Sequence, residues 1–211
     1  MKKIVFAAVA AALMTASLSS SAASGKAALS AFVQSAASAQ GAFEQKVADK
    51  NGSVAGGDAS GTFVFERPGK FLWKTELPYP QTIVSDARTV SIWDPDLNQV
   101  TVRKLTEAVS ATPAAVLFGR GDLEKTFVLA DLPDAAGLNW VSAQPRVEDM
   151  TYKRFEIGFD ADGLPAEMRL FDHFGQTVTI AFKNVKINVA VEPSVFQFRI
   201  PEGADVLQDT H

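Results

Sequence analysis

The chain has 211 residues, 47% of them hydrophobic, with 20 basic and 24 acidic side chains and a formal charge of -4; this suits one globular domain and is too apolar for a disordered chain. The absence of cysteine excludes disulfide scaffolds, cysteine-ligated zinc, iron–sulfur clusters, thiol catalysis and a lipidated N-terminal cysteine. Only two histidines are present, one of them the terminal His211, so multi-histidine metal sites lack ligands, and without a basic stripe the chain carries no electrostatic footprint for nucleic acid.

The N-terminus reads as an export signal. Lys2 and Lys3 precede an uncharged apolar run, Ile4 to Met14, and a small, polar stretch, Ser17 to Ala23, the pattern of a cleaved secretory leader. The run is shorter than the roughly 20 residues of a transmembrane helix, which disfavours an uncleaved anchor. Residues 1–23 are assigned to the leader and 24–211 to one domain. Losing Lys2 and Lys3 moves the charge from -4 to -6.

Lys26 to Gln40 is the clearest helix, with Leu29, Phe32, Val33, Ala36 and Ala37 on one face and Gly41 as its breaker. Phe43, Gln45 and Val47 begin a period-2 pattern. Asn51 to Ser60 is a small-residue hairpin loop. Gly61 to Arg67 is a strand with Phe63, Phe65 and Arg67 on one face. After the Pro68-Gly69 turn, Phe71, Trp73 and Thr75 share a face of the next strand. Strands follow at Gln81 to Ser85, Thr89 to Trp93 and Gln99 to Lys104. Thr112 and Pro113 cap a short helix, Ala114 to Phe118. Leu123 to Leu129 fits a short helix or a strand. Further strands are expected at Trp140 to Ala143, Arg154 to Phe159, Ala166 to Phe171, Gln176 to Asn184 and Phe196 to Ile200, before a polar, extended tail. Strands at this spacing predict a β-barrel or sandwich with a few amphipathic helices over one face or opening.

The chain holds 15 Phe against 3 Trp and 2 Tyr. Phenylalanine carries large apolar area and no polar handle, so these rings either fill a core or line a dry cavity; periodicity does not decide which. Phe155, Ile157 and Phe159 share a face, as do Val178, Ile180 and Phe182. Arg67, on the face of Phe63 and Phe65, reads from pattern as an exposed strand-end arginine. The alternative is an inward arginine donating to carbonyls at a helix end, as a latch between barrel and helices.

Catalytic constellations are weak. Asp94-Pro95-Asp96 is a routine turn, Asp172 and His173 are adjacent and so point apart on a strand, and there is no Gly-x-Ser-x-Gly elbow, P-loop or dinucleotide fingerprint. No enzymatic activity and no cofactor is expected.

Taken in order, Arg67-Pro68-Gly69-Lys70-Phe71-Leu72-Trp73, Gln81-Thr82-Ile83-Val84-Ser85-Asp86, Asp94 to Val102, Thr112-Pro113-Ala114, Phe174-Gly175-Gln176-Thr177 and Phe196-Gln197-Phe198-Arg199-Ile200-Pro201 with Gly203 to Val206 resemble the periplasmic carriers of outer-membrane lipoproteins, the LolA family. The resemblance covers nearly all of the mature chain. It implies an incomplete (unclosed) antiparallel β-barrel, covered by a lid of short α-helices that encloses a hydrophobic cavity. It also implies transfer of acylated lipoproteins from an inner-membrane ABC transporter (LolCDE-like) to an outer-membrane receptor (LolB-like). The arginine that holds the empty lid shut corresponds to Arg67, and the phenylalanine tied to cargo exchange to Phe71. On this reading the acyl-chain site comprises Phe63, Phe65, Phe71, Trp73, Ile83, Trp93, Leu117, Phe159 and Phe182. Two positions depart from the pattern: Ser91, two residues before Trp93, replaces an aromatic, and Ala87 replaces a turn glycine. The related receptor is anchored through cysteine, so a cysteine-free chain fits the soluble shuttle. Alternatives on the same scaffold are a carrier or sensor of another lipid, such as a glycolipid or lipid precursor.

Acyl burial yields about 0.8 kcal/mol per CH₂, so full burial of several chains would exceed the practical affinity ceiling of roughly -18 to -21 kcal/mol. A carrier that must release its load needs an opposing term. A latch that loading breaks would supply one.

Overall fold

The computed structural model describes residues 24–105, 117, 123–147 and 152–208. The leader assigned to 1–23 and the helix expected at 112–118, apart from Leu117, lie outside them.

The described chain forms one open sheet. Helix α1 (Gly25–Ser35) leads into β1 (Ser38–Ala48), β2 (Ala59–Glu66), β3 (Lys70–Leu77), β4 (Gln81–Asp86), β5 (Thr89–Asp94) and β6 (Gln99–Lys104). A single helical turn, α2 (Leu123–Thr126), precedes β7 (Phe127–Asp131), β8 (Asn139–Pro145), β9 (Tyr152–Phe159), β10 (Pro165–Asp172), β11 (Thr177–Ile187) and the short β12 (Asp205–Gln208). The spatial order is β12-β6-β5-β4-β3-β2-β1-β11-β10-β9-β8-β7, with β7 and β12 at the two edges. Every neighbouring pair is antiparallel except β12 on β6. This is the unclosed, mainly antiparallel sheet that the resemblance implies.

Register sets the faces, because directly paired residues share a side of the sheet. Phe63 pairs with Trp73, Trp73 with Ile83 and Ile83 with Ile92. On the other half, Ile180 pairs with Met168, Met168 with Ile157 and Ile157 with Val141. These rows form one buried apolar cluster. Helix α1 lies over it with Ala28, Leu29 and Phe32 buried. Phe32 meets Phe65 of β2 at 6.2 Å and Phe159 of β9 at 6.0 Å. The sheet therefore curls far enough for one helix to touch both halves.

Three sequence expectations change. The helix stops at Ser35, five residues short of Gln40, because Ala36 is extended (φ -88°, ψ 92°). Pairing of Ser38 to Gln40 with β2 and β11 outweighs local helix propensity there. The Asn188 side chain fixes the crossover by accepting from the Ala37 N–H at 2.9 Å. Gly41 is thus no helix stop; it sits within β1, where a Cβ would lie 2.8 Å from the Phe63 ring. The stretch 123–129 is both things in turn, α2 and then β7. Phe196 to Ile200 is not a strand: Pro193–Phe196 is a 3-10 turn, and buried Phe196 lines a pocket on the outer face with Val84 and Ser91. The strand lies further on, in the tail, as β12.

Candidate functional site

The interior of the curled sheet is built from rings. Phe43, Phe63, Phe65, Phe71, Phe155 and Phe159 are fully buried, and Trp73, Ile83, Leu117 and Phe182 nearly so. Phe43 stacks on Trp73 with centroids 3.9 Å apart and planes 23° off parallel. Phe63 meets Phe182 edge-on at 5.6 Å, and Trp73 meets Phe182 edge-on at 6.5 Å. Offset-stacked and edge-to-face pairs are the favoured aromatic geometries. The rings touch one another, so in this closed form they occupy the interior themselves, and a guest chain would enter by displacing them.

Of the nine expected lining residues, Phe63, Phe65, Phe71, Trp73, Ile83, Leu117, Phe159 and Phe182 lie in this cluster. Trp93 does not. It pairs with Thr82 and Val100, on the opposite face from Ile83 and Ile92. The inward residue of β5 is Ile92, packed against the core. Ser91 also belongs to the outer face, as the partner of Val84 and Val102, so its departure from the aromatic pattern leaves the interior untouched. The resemblance placed Trp93 in the lining; strand alternation puts Ile92 there instead. Sequence reasoning also passed over Phe32 and Phe43, whose helical and period-2 spacings were visible.

Arg67 sits at one end of this interior. Its Nε donates to the Ala36 carbonyl and its Nη2 to the Leu117 carbonyl, each at 3.0 Å. Its backbone N–H donates to the Ala37 carbonyl at 2.8 Å. The guanidinium sits 5.1 Å from the Phe65 ring centroid and 5.9 Å from that of Phe32. One side chain thus ties the end of β2 to the end of α1 and to helical Leu117. The Ala36 carbonyl, at the C-cap of α1, lacks an intrahelical donor and carries partial negative charge, so a charged N–H group suits it. Burial holds the Arg67 pKa below its usual value, yet an arginine remains charged at any working pH. Of the two sequence readings of Arg67, its side chain has the inward placement, donating to the carbonyl at the end of α1.

Phe71 follows on β3, pairing with Phe65 and Ser85. Ser85 is buried and donates to the Gly69 carbonyl at 2.7 Å, which fixes the turn between Arg67 and Phe71. Ala87, at the next turn, holds φ 75° without being glycine. The Asp86 carboxylate accepts from the Arg88 and Thr89 N–H groups at 2.8 Å each to secure it.

The acidic candidates are turn residues. The Asp172 carboxylate accepts from the Phe174 and Gln176 N–H groups at 2.8 and 2.7 Å, and that of Asp94 accepts from the Gln81 amide at 2.7 Å. Among the described residues, no group of three His, Asp or Glu side chains is arranged to hold a metal, and no helix is long and apolar enough to cross a membrane. What the arrangement can do chemically is shield apolar chains behind a hydrogen-bonded closure.

The family described as "Outer membrane lipoprotein carrier protein LolA" matches residues 34–199. An outer-membrane lipoprotein carrier protein of Cupriavidus necator is 46% identical over 158 residues, 75% of this chain and 74% of that one. Its counterpart from Bordetella pertussis is 48% identical over 149 residues, 71% of this chain and 70% of its own. The crystal structure of a LolA superfamily protein from Nitrosomonas europaea superposes with a TM-score of 0.50 at 10% identity, covering 84% of this chain and 99% of that one, a likeness of fold alone.

Proposed function

Because this chain belongs to the LolA family of outer-membrane lipoprotein carriers, we propose that it is a periplasmic chaperone for lipoproteins. It is exported, loses residues 1–23, and takes the acyl chains of its cargo into the ring-lined interior. The family's described activity is carriage, and this chain is read as a carrier and not as an enzyme. The donor is an inner-membrane ABC transporter complex and the acceptor an outer-membrane lipoprotein receptor. The observation that carries the reading is the Arg67 fork, which bridges the Ala36 and Leu117 carbonyls over the buried rings.

The mechanism follows from opposing terms. Acyl burial favours loading at about 0.8 kcal/mol per CH₂. Ring displacement and rupture of the Arg67 bonds to the Ala36 and Leu117 carbonyls oppose it, at roughly 1.5–3 kcal/mol net per charged-donor bond. The difference keeps affinity within reach of an acceptor whose interior is already open. The test is mass spectrometry of material that co-purifies with the exported protein and with Arg67→Leu. Triacylated lipoproteins enriched on the variant are expected. Glycolipid or free lipid in their place would reassign the cargo, and empty protein in both preparations would refute carriage.

A further inference from the structure

The end of the sheet opposite Arg67 carries a different surface. Register places there the turns after β1 (Ala48 pairs with Thr177), after β3 (Ser60 with Leu77), after β5 (Asp94 with Gln99) and after β10 (Asp172), beside the β8–β9 connection, of which 148–151 lie outside the described residues. Each turn holds a large apolar side chain out in solvent: Val54 at 72% exposure, Leu77 at 63%, Tyr79 at 75%, Leu97 at 68% and Phe174 at 87%. Single exposed apolar residues are ordinary, but a collection at one end marks an interaction surface.

These tips are also fixed in place. The Asp49 carboxylate accepts from the Asn51 and Ser53 N–H groups at 2.8 and 2.9 Å, and Asp172 does the same for the turn that presents Phe174. Asn98 ties the β5–β6 turn to the Gly203 carbonyl at 2.7 Å. A rigid anchor loses little entropy on binding, which is how interface hot spots gain affinity. Tyr79 and Leu97, with Gly57, Pro78 and Asp96, line a groove of about 420 Å³, a volume suited to a few side chains of a partner segment.

Charge selects the occupant. Asp94 and Asp96 line the groove, and Asp58 and Glu76 flank its lining, against Lys46 and Lys74. Lys46 lies 3.6 Å from Asp58 and Lys74 lies 3.4 Å from Glu76, so the surplus is carboxylate. An acidic surround repels an anionic lipid surface and attracts Lys and Arg. We propose that this end docks a protein partner, through a segment whose apolar side chain enters the Tyr79–Leu97 groove and whose flanking basic residues meet Asp96 and its neighbours. The site is separate from the ring-lined interior. The proposal extends the carrier reading by giving the shuttle a docking face that leaves the cargo end free.

The experiment places a photoreactive benzoylphenylalanine at Tyr79 or Leu97 of the full chain in living cells and identifies the adducts by mass spectrometry. The expected adduct is a protein segment with an apolar residue flanked by Lys or Arg. Asp96→Lys should lower its yield about fivefold, since like charge suppresses encounter. No protein adduct, adducts to lipid alone, adducts to a second copy of this chain, or a segment without basic residues would each overturn the proposal. Cargo on Arg67→Leu is scored in parallel. Missing cargo with an intact Tyr79 adduct refutes carriage and spares the docking face, and the converse refutes the docking face alone.

Discussion

Arg67→Lys keeps the charge of the closure and removes its geometry. The guanidinium reaches two carbonyls through two different nitrogens, Nε to Ala36 and Nη2 to Leu117; a lysine Nζ is one point donor and serves one of them well. The loss is one charged-donor bond, about 1.5–2 kcal/mol, the low end of the range because the side chain is half-buried. The planar contacts with Phe65 and Phe32 add about 0.5–1 kcal/mol. A total of about 2–3 kcal/mol is roughly 30- to 150-fold in the open-to-closed ratio. Amide hydrogen exchange reads this directly. Protection in the last turn of α1, where the Ala36 N–H donates to the Phe32 carbonyl, should fall by that factor in the lysine variant and further in Arg67→Leu. Affinity for acylated cargo should rise in the same order. Equal protection in wild type and both variants would refute the latch.

Other consequences can be measured. Phe71→Glu puts a carboxylate where no surface is exposed; at about 3 kcal/mol or more the melting temperature should fall by roughly 6–12 °C, and cargo exchange should fail while Phe71→Leu retains it. Trp73→Ala removes a buried, stacked ring and should cost about 3–5 kcal/mol in urea unfolding together with cargo retention, whereas Trp93→Ala should leave cargo unchanged; matching cargo losses would contradict the assignment of faces. Ala87→Gly should stabilise the protein by about 1 kcal/mol by calorimetry, because φ 75° penalises a Cβ. Partial burial raises the Asp86 pKa, but its hydrogen bonds from Thr89 and Arg88 outweigh this and the net shift is downward. The stability it contributes is therefore complete above the ordinary carboxylate pKa of about 3.9 and is lost as pH falls through the lower folded value. Asp86→Asn should flatten the acid limb of the stability curve below about pH 4.

The strands were legible because their alternation is local. Phe63 with Phe65, Phe71 with Trp73, and Phe155 with Ile157 and Phe159 declare their shared faces within a few residues. Arg67 was harder. A pattern shows that an arginine shares a face with two phenylalanines, but its acceptors, the Ala36 and Leu117 carbonyls, lie 31 and 50 residues away. Only the resemblance tipped that reading inward. The helix end failed for the same reason, since Ser38 to Gln40 are drawn into strand by partners on β2 and β11 that no local window contains. The tail strand β12 carries no alternation of burial, with all four residues exposed; its pairing with β6 is a tertiary contact that propensity does not register.

Among the described residues, the open sheet leaves this carrier two edge strands with a neighbour on one side only, and free edges template polymerisation. Both are poor templates here. One is β7, of five residues, whose Asp131 carboxylate turns aside to accept from the Lys26 N–H of α1 at 2.8 Å. The other is β12, of four residues, laid parallel on β6 and carrying the charge of Asp205. A protein that must stay unclosed to admit lipid is thereby kept from adding its own copies strand by strand.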